Sequence, residues 1–171
     1  MMASVIVVMG VSGSGKTVVG SLLGQRLGWP FADADAFHPS ENVAKMRRGV
    51  PLTDEDRAPW LDAIANWIDE KRASGEHGVV ACSALKRRYR QRIIGNRRDV
   101  RLVHLDGSYE LIARRMAERP HHYMPVAFLK IQFDALERPG ADESVLTMSI
   151  TLPPEEIVER IVAWLGVSAR A

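Results

Sequence analysis

An α/β fold of three layers, a parallel sheet with helices on both faces, is predicted by three features of the sequence. Five short apolar runs are spaced along the chain at residues 4–9, 30–33, 78–82, 101–105 and 145–150. Each is nearly continuous in apolar residues rather than alternating, as expected of parallel strands buried on both faces. Segments of helical periodicity lie between them, so strand and helix alternate through right-handed crossovers. The third feature is a glycine-rich turn, GVSGSGKT at residues 10–17, set between the first apolar run and the first helical pattern.

Size and composition agree with that plan. The 171 residues fit one domain, 1–171, large enough to bury a substantial core, and no repeat, low-complexity tract or linker divides them. At 46% apolar and 26% charged residues the chain has an ordinary globular make-up. A net charge of +2 gives no argument for nucleic acid or a membrane surface as partner. The cations are nonetheless bunched, at Lys86-Arg87-Arg88-Tyr89-Arg90-Gln91-Arg92 and from Arg114-Arg115 to Arg119. Nucleotide phosphates account for them with less strain than RNA does. Cys82 is the single cysteine, so no intrachain disulfide forms, and in Val79-Val80-Ala81-Cys82 it reads as a small buried hydrophobe. No charged segment precedes the N-terminal apolar run, which is too short to cross a bilayer, and a cytoplasmic enzyme is expected.

Val5-Ile6-Val7-Val8-Met9 leads straight into the turn, which satisfies G-x-x-x-x-G-K-[ST] without mismatch. Helical spacing resumes at Val18, Val19, Leu22, Leu23 and Leu27. In that setting of strand, turn and helix the pattern specifies a phosphate site. Gly10, Gly13 and Gly15, with Ser12 and Ser14 between them, let backbone N–H groups turn inward on phosphate oxygens. The N-terminus of the following helix adds unpaired N–H groups and a partial positive charge. Lys16 is placed to neutralise the β- and γ-phosphates, and the Thr17 hydroxyl to ligate Mg²⁺.

The second strand ends in Asp33-Ala34-Asp35, followed by His38-Pro39. Groups at the carboxyl ends of parallel strands face the ligand crevice, so both carboxylates should share a space with the glycine loop. One would hold a Mg²⁺-bound water while the other takes a proton from, or orients, an attacking hydroxyl. Solvated loop carboxylates or helix caps are the plainer alternative. His38 either donates to substrate or fixes the turn.

Residues 40–49 carry Val43 and Met46 at the spacing of one apolar helical face. Thr53 and Asp56 then have capping-box spacing, and Trp60, Leu61, Ile64, Trp67 and Ile68 form a core-facing stripe behind them. Arg57 lies in the first turn, where a cation opposes the helix dipole; it either serves the site or pairs with Asp54 or Asp56. After the third strand, Lys86 and Arg90 stand four apart, on one face if helical, and could clamp an anionic substrate. A solvated basic face is the alternative. Residues 108–118 read as a helix with Leu111, Ile112 and Met116 inward. The following stretch, bounded by Pro120 and Pro125, cannot be one regular helix and suits a short lid, about 119–127, bearing arginine onto the phosphates. His121 and His122 lack a third ligand nearby, so zinc is not expected. A last helix runs through Ile157, Val158, Ile161, Val162 and Leu165 and stops at Gly166.

These residues together resemble the gluconate kinase (gluconokinase) family, within the nucleoside-monophosphate-kinase-like branch of P-loop kinases. The likeness covers MGVSGSGKT (9–17), DADAFHP (33–39), NVAKM (42–46), GVPLTDEDRAPWL (49–61), ACSALKRRYR (81–90) and QFDALERPGADE (132–143). It implies a P-loop kinase fold with a five-stranded parallel sheet of order 2-3-1-4-5, and ATP- and Mg²⁺-dependent phosphorylation of D-gluconate at its 6-hydroxyl. In such a kinase Lys16 and Thr17 serve phosphates and metal, Asp33 the metal side through water, and Asp35 the substrate side as base. Arg115 matches the adenine-stacking arginine and Arg119 the lid arginine. Asp35, His38, Arg57, Lys86 and Arg90 are the candidate substrate ligands, and a homodimer is expected. Rival readings are a kinase of the same branch acting on shikimate, a nucleoside monophosphate or another sugar acid, and a nucleotide-binding regulatory module without turnover.

Overall fold

The structure, a computed structural model, describes residues 3–118 and 126–166. Five strands form the sheet: β1 (Val5–Met9), β2 (Phe31–Asp33), β3 (Gly78–Ala81), β4 (Val100–Asp106) and β5 (Val145–Ser149). All pairings are parallel and the order is β2-β3-β1-β4-β5, as the family resemblance implies. Each strand falls within a residue or so of its apolar run.

β1 explains why those runs do not alternate. Ile6 and Val8 enter a core on one face with Val19, Leu23, Ile112 and Ile161, while Val5, Val7 and Met9 enter the opposite core with Trp60, Ile64 and Ile68. Both faces are dry, so every position is apolar. The first layer is built by α1 (Lys16–Leu27), α5 (Tyr109–Ala117), α6 (Val126–Ala135) and α7 (Pro154–Leu165). The other is built by α3 (Asp54–Ser74) and α4 (Arg87–Ile93), with α2 (Ser40–Arg47) beside them. α1 lies close on β2 because it carries Gly20 and Gly24. A Cβ at Gly20 would meet Phe31 at 2.5 Å, and one at Gly24 the Trp29 carbonyl at 2.8 Å. The Thr53–Asp56 capping box forms as expected and starts α3, and Gly166 ends α7 with φ +69°.

Two features go beyond the sequence pattern. The apolar face of α2 does not reach the core: Met46 is 41% exposed, Val43 is half-buried, and the buried residue of this helix is Asn42. In addition, α6 starts at Val126, so residues 126–127 of the expected lid belong to a helix that the pattern did not reveal. The rest of that lid, residues 119–125, lies outside the described residues. Among the described residues no helix is long and apolar enough to cross a membrane.

Candidate active site

Three strand ends build the site. β1 runs into the glycine loop, β2 into the Asp33–Asp35 turn and β3 into the Ser83–Lys86 turn, all on the carboxyl edge of the sheet. The sheet ladder carries two of these loops into contact: Cys82 N donates to the Val8 carbonyl at 3.0 Å and Gly10 N to the Ser83 carbonyl at 3.4 Å. Cys82 itself is buried, and desolvation pushes its thiol up to about 12, so it is no nucleophile.

The loop is shaped from below by α5. Gly13 has φ +80°, and a Cβ there would lie 2.9 Å from Met116 Cγ and 3.1 Å from Ile112 Cγ2. A Cβ at Gly10 would fall 2.5 Å from Ser14 Oγ, a buried hydroxyl without a hydrogen-bond partner among the described residues. Gly15, with φ +96°, is the N-cap residue of α1, so the first free N–H groups of that helix open on the loop. Ser12 departs from the sequence reading. Its N–H, expected to face phosphate, donates to Gln132 Oε1 at 2.6 Å, and Gln132 Nε2 donates to Ser12 Oγ at 3.2 Å, tying α6 to the loop.

Lys16 folds over the loop, its Nζ donating to the Val11 carbonyl at 3.1 Å. Burial lowers its pKa, against the pull of Asp35 and, more weakly, Asp33. The two carboxylates are already differentiated. Asp33 accepts from Thr17 Oγ1 at 3.0 Å with one oxygen and from Asp35 N at 3.0 Å with the other, which caps the 3₁₀ turn Ala34–Phe37. Asp35 is solvent-exposed in the turn after β2. Desolvation on its inner side and the neighbouring Asp33 raise its pKa above the usual carboxylate value, and Lys16 opposes them.

His38 is stacked on Trp60 with centroids 4.4 Å apart and planes 11° from parallel. Its Nδ1 lies 3.2 Å from Asn42 Nδ2. Burial, with the nearby Arg57 cation, holds the ring's pKa down at about 4, so it is neutral at pH 7. Arg57 pairs with neither Asp54 nor Asp56. It donates to the Leu52 carbonyl at 2.7 Å and sits 5.5 Å from the centre of the Tyr89 ring. Lys86 and Arg88 also cluster on that ring, at 5.8 Å and 5.9 Å, and the Tyr89 hydroxyl donates to Asp54 at 2.6 Å. Arg88 is ion-paired with Asp54, whereas Arg57 and Lys86 form no ion pair among the described residues. Two cations without an ion-pair partner among the described residues therefore share one aromatic platform.

Arg90 does not join them. Lys86 is the N-cap residue of α4 rather than part of its face, and Arg90 turns inward to 2% exposure. All five of its N–H donors are used. Nε and Nη2 reach Glu143 at 2.7 and 3.2 Å, Nη1 reaches the carbonyls of Ala84 and Leu85 at 2.9 and 3.1 Å, and Nη2 also reaches that of Glu137 at 2.9 Å. The residue is a clamp on the Ser83–Lys86 turn, where Ala84 is held at φ +45°, and not an open fork for substrate. Arg115, half-buried on α5, donates to the Ile150 carbonyl at 2.8 Å. Arg119 lies outside the described residues.

Sequence reasoning missed Asn42, Tyr89 and Gln132 as members of the site. Their signal was present, since NVAKM, RRYR and QFDALE belong to the stretches of family likeness, but neither periodicity nor charge marks them.

The comparisons agree with this geometry. Residues 12–165 match the family model described as shikimate kinase. The chain is 45% identical over 157 residues to a gluconokinase of Gluconobacter oxydans, covering 92% of this chain and 88% of that one. A sugar kinase from Janibacter sp. superposes with a TM-score of 0.91 at 44% identity, over 98% of this chain and 96% of the other. A gluconokinase from Sinorhizobium meliloti superposes with a TM-score of 0.87 at 43% identity, over 96% and 93%. The chain belongs to the gluconokinase family, within the P-loop kinases that carry the shikimate kinase domain.

Proposed function

We propose that the chain moves the γ-phosphoryl group of ATP onto the 6-hydroxyl of D-gluconate, giving 6-phospho-D-gluconate and ADP. One observation carries the reading: the glycine loop, the Asp33–Asp35 turn and the Arg57–Lys86 pair on Tyr89 converge on one sheet edge. A phosphate cradle, an acceptor carboxylate and a pair of cations for a distant carboxylate are what this acceptor needs. The relatives that bear the name gluconokinase support the choice of acid.

Asp35 takes the proton of the 6-hydroxyl as its oxygen bonds to the γ-phosphorus and the bond from that phosphorus to the β–γ bridging oxygen breaks, releasing ADP. Lys16, freed from the Val11 carbonyl, balances charge on the β- and γ-phosphates. Arg57 and Lys86 hold the substrate carboxylate, His38 a hydroxyl, and Arg115 the adenine; Arg119 is assigned to the lid. Thr17 Oγ1 at the end of the loop is a hard oxygen donor that would suit Mg²⁺, with Asp33 Oδ2, 3.0 Å from it, serving the metal through water. Mg²⁺ held there would supply charge neutralisation on the phosphates. A cytoplasmic homodimer completes the proposal, the dimer being open to light scattering.

Asp35→Asn tests the assignment of the base. It should lower kcat by ~10²-fold or more with the fold unchanged. A variant that turns over at the wild-type rate would remove Asp35 from that role.

A further inference from the structure

We infer that Asn42 is a positioning residue that locks His38 in its Nε2–H tautomer, making His38 a hydrogen-bond donor to a substrate hydroxyl. Asn42 is 3% exposed on α2. Its Nδ2 lies 2.8 Å from the Asp56 carbonyl and 3.2 Å from His38 Nδ1. A backbone carbonyl only accepts, so the atom facing it must be the amide nitrogen; the flipped amide would set oxygen against oxygen. The second N–H of the same nitrogen then points at His38 Nδ1. A proton on Nδ1 would oppose two donors, so Nδ1 keeps its lone pair and the neutral ring carries its proton on Nε2.

Each partner is held in turn. Asp56 is fixed by its capping box with Thr53 and by Lys45, whose Nζ is 2.8 Å from the carboxylate. The His38 ring lies flat on Trp60, and Trp60 Nε1 donates to the Ala34 carbonyl at 2.7 Å. Among the described residues Nε2 has no hydrogen-bond partner. A charged ring would need a proton on Nδ1 as well, and its burial and Arg57 already disfavour it.

The consequence is a divided pair. His38 and Asp35 share one turn, with His38 N donating to the Asp35 carbonyl at 3.4 Å. Asp35 accepts a hydroxyl proton and His38 Nε2–H donates to a hydroxyl lone pair, so a polyol chain is read in one polarity. This last step rests on the sugar-acid reading above; the tautomer does not.

The test is long-range ¹H–¹⁵N NMR of the histidine rings in the substrate-free enzyme at neutral pH, with His38 assigned through His38→Gln. The expected spectrum has a protonated Nε2 and an unprotonated Nδ1. In Asn42→Ala the lock is gone, and Nδ1–H should become populated while KM for D-gluconate rises about three- to tenfold, the loss of one hydrogen bond, with kcat changed less. Wild-type His38 protonated on Nδ1, or charged at pH 7, overturns the inference whether or not the variant folds. A folded variant with the wild-type tautomer overturns the part assigned to Asn42. The expected tautomers with no response to D-gluconate would uphold the lock and place the error in the substrate.

Discussion

Replacing Arg90 by Met keeps an unbranched side chain in the same space and deletes five donors. In the wild type these serve Glu143 and the carbonyls of Ala84, Leu85 and Glu137. Leu85 keeps a partner in Glu137 N, and Glu143 keeps Gly140 N and Arg87, but the carbonyls of Ala84 and Glu137 are left without a side-chain donor. Breaking one side of a buried ion pair costs about 3–5 kcal/mol, and the partners left to Glu143 place this case near ~3 kcal/mol. At roughly 2–4 °C per kcal/mol for a chain of this size, Tm should fall by about 6–12 °C. Arg90→Lys, a point charge with three donors, should lose roughly half as much. The Ser83–Lys86 turn loosens as well, since Ala84 no longer has Arg90 to hold its left-handed conformation. KM for the acid should therefore rise more than kcat falls. Circular dichroism melts and steady-state kinetics on the same preparations read both effects. A Met variant that melts within 2 °C of wild type yet loses affinity for the acid would refute the clamp and restore Arg90 as a substrate ligand.

Three further predictions follow from the same geometry. Gly13→Ala puts a Cβ against Met116 and Ile112 at positive φ; it should weaken ATP binding at least tenfold by isothermal titration and lower Tm. Lys16→Ala should abolish turnover while leaving the melting curve intact, because the ammonium's only hydrogen bond to the protein among the described residues is to the Val11 carbonyl. Acid should act in two windows. The Lys45 hydrogen bonds hold Asp56 at about 2, below its unfolded value, so its support of the fold is present above about pH 4 and lost as pH falls toward 2. His38 is also depressed, to about 4, but it is a base: the unfolded chain takes up its proton near 6.5 and the folded chain does not, so stability declines from about pH 6.5 downward. His38→Gln should flatten the upper window and Asp56→Asn the lower one.

The sheet and the phosphate loop were legible because their signals are local. β1 must be apolar on both faces to lie between two cores, and the glycine loop must have glycine where α5 rises against it. The α3 cap was legible for the same reason, as Thr53 and Asp56 meet within a single turn. What the sequence hid depends on distant partners. Arg90 and Lys86 look alike in a basic run, and only the approach of Glu137 and Glu143 from beyond α6 separates a clamp from a free cation. Nothing in the sequence marked Asn42 beside the apolar spacing of Val43 and Met46. Its burial follows from α2 docking through Lys45 and Asp56 rather than through hydrophobes. α6 escaped because VAFLKIQF is apolar on every side and has no 3.6-residue period to find.

The central claim is tested most directly by coupled ADP release with Mg-ATP, run in parallel on D-gluconate, other sugar acids, shikimate and AMP. Strong stimulation by D-gluconate, with little by the others, is the predicted result. It would tie the Asp33–Asp35 turn and the cations on Tyr89 to one acceptor. Equal or stronger stimulation by another acceptor would keep the phosphate site and contradict the substrate assignment. ATP binding without stimulation by any of them would contradict the account of a kinase altogether.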